Sequence, residues 1–151
     1  MAAVTFTAVE VNQTRRLSVG PNVVYSRLAQ DNMSVSDIVF LAKIPNHATV
    51  IDGYLAVRGV GITAGFWKLG VQGTLVDAIS GATITADTLH AGASLTASGM
   101  ARFTTSFLPF KYSISDDAAT QFTWLQGTFS AGSGTATQSL MFVMTYLMDR
   151  D

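Results

Sequence analysis

Apolar and polar positions alternate along most of the chain with the period of two that marks half-buried strands. From Val4 to Val11, Thr and apolar residues alternate, the pattern of an extended arm or an edge strand. Gly20-Pro21-Asn22 is a turn signal, and Val23-Val24-Tyr25-Ser26-Arg27-Leu28 reads as the strand after it. Ile38, Phe40, Ala42 and Ile44 fall on one face of a further strand, which Pro45-Asn46 ends. Ile51, Leu55 and Val57 share a face of the next, with Gly53 as its candidate bulge. Trp67, Leu69 and Val71 alternate after a glycine-rich turn.

The middle of the chain is less regular. Ala86 to Gly99 is small and polar, and Asp87 suits the cap of one short helix, with a loop as the other reading. Phe103, Thr105 and Phe107 restore the alternation, and Phe110, Tyr112 and Ile114 continue it after Pro109. Asp116-Asp117 forms a turn, Phe122 to Phe129 a strand, and Ser130 to Thr135 a flexible connection. The last strand puts Leu140, Phe142, Met144, Tyr146 and Met148 on one face and Met141, Val143 and Leu147 on the other. About eight short strands with turns roughly every ten residues predict an all-β, single-domain β-sandwich of jelly-roll type. Residues 1–20 are expected to form an extended N-terminal arm and residues 21–151 the sandwich.

Composition strengthens the β reading. Val, Ile, Thr and aromatic residues supply 54 of 151 positions, whereas Glu occurs once and Lys three times. Charged residues are only 13% of the chain, about half the usual share of roughly 25%, and the net charge is −1. That balance excludes a nucleic-acid binder driven by a basic patch. The most apolar run, Leu140 to Met148, is far shorter than the ~20 residues of a membrane helix, so no membrane partner is expected. With no cysteine, disulfides, thiolate metal sites and cysteine nucleophiles are ruled out.

Candidate chemistry is sparse. His47 and His90 lack a second ligand at metal spacing and read as loop residues. Adjacent Asp116 and Asp117 read as a solvated turn rather than as a converging acid–base pair, and Asp37, Asp52 and Asp77 stand isolated. Gly132-Ser133-Gly134-Thr135 has neither the lysine nor the helix of a phosphate loop. No catalytic, metal or cofactor-binding residue is assigned. Arg15-Arg16 suits a forked contact with a carboxylate-bearing partner, against the plainer reading of two solvated arginines. With Phe6 and Val9 on the same arm, these are the candidate partner-binding residues. Trp67 and Trp124 suit either the core or a sugar-stacking platform. The final strand is apolar on both faces, so either it is central in a sandwich or one face meets another subunit.

Ser36 to Leu55 (SDIVFLAKIPNHATVIDGYL) resembles a pattern of small structural proteins of tailed bacteriophages, in which an Ile-Pro turn joins two strands of a β-sandwich. Phe66-Trp67-Lys68-Leu69-Gly70-Val71 resembles the strand that usually follows, although Asn46-His47 stands where a glycine is usual after the proline. The resemblance spans residues 36–71 and is to capsid decoration, or cement, proteins. It implies a non-enzymatic homotrimer on the capsid exterior of the virion, bound to the major capsid protein and stabilising contacts between its subunits. The alternative is a carbohydrate- or receptor-binding β-sandwich of a phage tail or fibre. A small hydrolase ranks last, because it needs Asp and His side chains that the sequence does not bring together.

Overall fold

The computed structural model describes residues 5–7, 9–13, 21–30, 34–58, 63–96, 100–131 and 138–148. The strands are β1 (Thr5–Thr7), β2 (Val9–Gln13), β3 (Asn22–Gln30), β4 (Ile38–Pro45), β5 (Ala48–Arg58), β6 (Thr63–Val71) and β7 (Leu75–Val76). They continue as β8 (Thr83–Ile84), β9 (His90–Thr96), β10 (Met100–Arg102), β11 (Phe110–Lys111), β12 (Phe122–Ala131) and β13 (Gln138–Met148). One sheet has the order β1-β4-β12-β6-β9, and the second has β10-β5-β13-β3-β2 with β11 also on β5. The hairpin β7-β8 stands apart.

The fold is all-β, and the two sheets share one hydrophobic core. The first sheet contributes Val39, Leu41, Trp67, Leu69, Leu125 and Phe129. The second answers with Val24, Val50, Leu55, Phe142, Met144 and Tyr146. Each such side chain contributes about 1.5–3 kcal/mol on burial, so no metal or disulfide is needed to close the domain. Trp67 meets Phe129 edge to face at 5.4 Å, and Phe103 tilts against Phe142 at 6.0 Å. Gly53 makes room for that second pair, since a Cβ there would lie 2.5 Å from the Phe103 ring.

Bulges change the phase of two strands. In β4 the register with β12 slips beside Leu41, so Val39 and Leu41 point inward before the slip, and Ala42 and Ile44 after it. Ile38 and Phe40 are therefore on the outer face, not with Ala42 and Ile44 as strict alternation predicts. In β5 the slip falls at Ile51 opposite Thr145/Tyr146. Ile51 turns outward while Leu55 stays buried, and the bulge is at Ile51 rather than Gly53. Ser26, buried on β3, donates its hydroxyl to the carbonyl of Leu41 at 2.6 Å, satisfying a backbone acceptor at the first bulge from the opposite sheet.

Other expectations also need correction. The small, polar middle segment holds no helix at Asp87; it turns and then runs as β9 along β6. Thr105–Phe107 is a 3₁₀ turn, and only Phe110–Lys111 of the following alternation pairs as a strand. Of the connection expected over Ser130 to Thr135, Ser130 and Ala131 belong to β12, and residues 132–135 lie outside the described residues. The described part of the N-terminal segment is paired within its own chain: β1 runs parallel to β4, and β2 antiparallel to β3.

Candidate functional site

No converging catalytic cleft organises the described residues, and no cluster of three or more His, Cys, Asp or Glu side chains among them suits a metal. Three surface regions carry the polar and aromatic groups singled out above.

The first is the connection between β4 and β5. Asn46 and His47 form a two-residue crossing from one sheet to the other, with His47 at φ 68° in the left-handed region where a glycine is usual. Asn46, almost fully buried, accepts the Ile114 N–H at 2.8 Å and donates to Gln121 Oε1 at 2.7 Å and Ile114 O at 3.1 Å. The backbone N–H of His47 bonds Tyr112 O at 2.9 Å, and its ring Nε2 lies 2.7 Å from Asp116 Oδ1. The structure thus brings together a His and an Asp that the sequence keeps 69 positions apart. Asp116 is 80% exposed, so the pair ties the loop after β11 to the turn on an open surface.

The second region holds two buried or bridging carboxylates that read as isolated in the sequence. Arg102 on β10 forks onto Asp52 on β5, with Nε to Oδ1 at 3.1 Å and Nη2 to Oδ2 at 2.5 Å. The Arg102 hydrogen bond lowers the Asp52 pKa, burial opposes it, and the Gly53 N–H and the arginine charge lower it further. Burial pushes the Asp77 carboxyl up, yet donation from the Ser80 hydroxyl and the Lys111, Ile79 and Ser80 N–H groups outweighs it, and its pKa is lowered. These bonds, with Ala78 N–H to Lys111 O at 3.0 Å, pin the β7-β8 hairpin to β11. A shallow cleft of about 500 Å³ runs along Asp52, Arg102 and Pro109, and a second of about 400 Å³ along Asp77, Ser80 and Pro109. At their walls Arg102 is engaged with Asp52 and Ser80 with Asp77.

The third region is the pair of outer sheet faces. On the first sheet, Trp124 stacks on Phe40 at 5.2 Å with 9° between the planes, and Phe122 meets it edge to face at 5.9 Å. The Lys43 ammonium sits 4.5 Å from the Phe122 centroid and 5.2 Å from that of Trp124. Trp67 is completely buried on the opposite side of this sheet, its indole N–H without a partner among the described residues. The two tryptophans therefore form no common platform, and Phe40 already covers one face of Trp124.

On the second sheet, β13 lies between β5 and β3. Its outward residues Met141, Val143, Thr145 and Leu147 are half-buried or exposed. Cross-strand registers place Val143 beside Tyr54 and Tyr25, Met141 beside Ala56 and Arg27, and Thr145 beside Val23. Met100 on β10 extends the plate and is 58% exposed. The reading that makes this strand central holds, and its second face is half-buried to exposed among the described residues.

Of the candidate partner-binding residues, Phe6 and Val9 occupy register positions opposite Val39 and Arg27. Arg15 and Arg16 lie outside the described residues. The Asp52–Arg102 fork and the Lys43 aromatic cluster were not legible as groups because neighbouring strands bring their members together, and the Asp77 anchor was not because Lys111 reaches it from 34 positions away. No helix of the described residues is long and apolar enough to cross a membrane.

No protein-family model matches the sequence, and no curated protein matches it. Two solved structures match the chain, the first of them in fold. One is a chain of the capsid of Ralstonia phage GP4, with TM-score 0.68 and 13% identity, covering 98% of this chain and 100% of that chain. The other is a chain of the cyanophage Pam1 capsid asymmetric unit, with TM-score 0.49 and 16% identity, covering 91% of this chain and 95% of that chain. From end to end, the protein has the fold of a polypeptide found in the capsid of a Ralstonia phage.

Proposed function

We propose that the protein is a non-enzymatic structural component of a phage virion. On this reading it binds the outer surface of the head as a homotrimer and stabilises contacts between major capsid subunits. The observation that carries the reading is the outer face of the second sheet, where Val23, Met100 and Leu147 are exposed and Met141 and Val143 half-buried among the described residues, in a chain whose fold overlays a capsid polypeptide along its full length. Monomers rarely leave a contiguous apolar face open to water, and a clamp between capsid subunits acts by adding its own interface to theirs.

The strand order supports a jelly-roll reading. The runs β3-β13-β5-β10 and β4-β12-β6-β9 interleave along the chain as two Greek keys would, the arrangement of many viral capsid domains. Residues 1–20 remain the proposed partner-binding arm, with Arg15 and Arg16 as anchors for a carboxylate on the capsid and Phe6 and Val9 beside them. The carbohydrate-binding alternative loses its two-tryptophan platform to the burial of Trp67.

The test is co-sedimentation of the purified protein with empty heads of its phage, alongside light scattering of the free protein. Saturable binding to heads, with raised resistance of those heads to heat, is the expected result. A monomeric protein that stays in the supernatant at every head concentration would refute the proposal.

A further inference from the structure

The N-terminal segment bridges the two sheets in an unusual way. Thr5, Phe6 and Thr7 register with Ile38, Val39 and Phe40 on β4, the one parallel pairing among the described registers. After a single intervening residue, Val9 to Gln13 register with Arg27 to Val24 on β3 in the second sheet. β1 and β2 are the outermost strands of their sheets on the same side of the sandwich, where β3 and β4 follow each other in the chain. The backbone edges of β3 and β4 thus form one acceptor, filled by one extended segment that adds parallel to the first sheet and antiparallel to the second.

We infer that this acceptor takes residues 5–13 from a second copy of the chain as well as from its own, so that neighbouring copies exchange their N-terminal segments. The occupant is defined by the pairing itself, because another copy carries the same segment and forms the same registers. A three-residue parallel pairing and a five-residue pairing interrupted by a bulge at Glu10/Asn12 are short attachments for an edge. Eight residues, 14–21, lie between the segment and β3 in the sequence, a length that spans at most roughly 26–29 Å.

Concentration decides between the two arrangements. A tethered segment competes for its own acceptor at an effective concentration on the order of millimolar. Exchange therefore stays minor in dilute solution and grows where copies are held together. The inference rests on the proposed assembly only for that local crowding; strand exchange itself needs no capsid.

The absence of native cysteine gives a clean test with the full chain. Val9→Cys and Arg27→Cys are made as separate proteins, mixed, unfolded and refolded together over a range of concentrations, then oxidised. A mixed disulfide dimer joining the two variants, its fraction rising several-fold with concentration, is the expected outcome. Thr5→Cys and Ile38→Cys form a second pair, on the other sheet, should the first misfold. If both pairs give only intramolecular disulfides in their double variants, with no mixed dimer at any concentration, the inference is wrong. Failure of head binding with successful exchange would overturn the proposed function alone.

Discussion

Two glycines show how closely single residues are fitted. A Cβ on Gly70 would sit 2.0 Å from the Thr85 carbonyl oxygen, and the Val71 N–H bonds that same oxygen at 3.0 Å. A Cβ on Gly53 would press instead on the Phe103 ring. Gly53→Ala should cost about 1–3 kcal/mol through overpacking, and Gly70→Ala more, because backbone has to move. Urea unfolding of both variants checks the order. The sequence marked Gly53 as special but for another reason, a bulge. The true slip, at Ile51, is set by the register of β13 across the strand, which local alternation does not encode. Likewise the left-handed His47 looked like a departure from a glycine turn, whereas the Asn46 side chain supplies the bonds that hold that conformation.

Elements were legible where apolar alternation was strong and obscure where pairing alone makes the strand. The face assignment of β13, with Phe142, Met144 and Tyr146 inward, follows from sequence period. β9 does not, since His-Ala-Gly-Ala-Ser-Leu-Thr has little apolar signal and becomes a strand by lying along β6. The plate on the second sheet leads to a prediction at this scale. Val143→Glu points a charge outward between Tyr54 and Tyr25 without entering the core. Its effect on unfolding free energy should stay within about 1 kcal/mol, while the proposed trimer and the proposed head binding are lost. Light scattering and thermal unfolding of the same sample separate the two effects, and retention of the wild-type mass would count against this face as the contact. Trp124, half-buried on the outside, should be quenched by acrylamide, while Trp67 stays shielded; two populations in the quenching curve are expected.

For the whole molecule, pH acts through Asp77 and Asp52, both held below the ordinary carboxylate range. A lowered folded pKa means that the unfolded chain binds the proton first as pH falls. The stability these groups supply is therefore complete above about pH 4 and is lost as acid reaches their depressed values. Asp77→Ala should lower stability at neutral pH by about 1–3 kcal/mol and flatten the acid limb of a stability–pH curve. An unchanged acid limb would show that the carboxylate does not anchor the hairpin. At this scale the sequence carried the class of fold and the low charge. It did not carry the pairing of the N-terminal segment with both sheets, because that depends on edges far along the chain.

The placement of β12 and β13 has a consequence for synthesis. Each lies at the middle of its sheet, β12 joining β4 to β6 and β13 joining β5 to β3, yet both follow the strands they join in chain order. A nascent chain stopped before Phe122 holds flanking strands with nothing between them, so neither sheet can close in pieces as translation proceeds. Closure waits on contacts of long sequence separation, which favours slow, all-or-none folding after β12 and β13 emerge. A product cut short by premature termination is left with open seams in both layers, a substrate for proteases rather than a flawed building block.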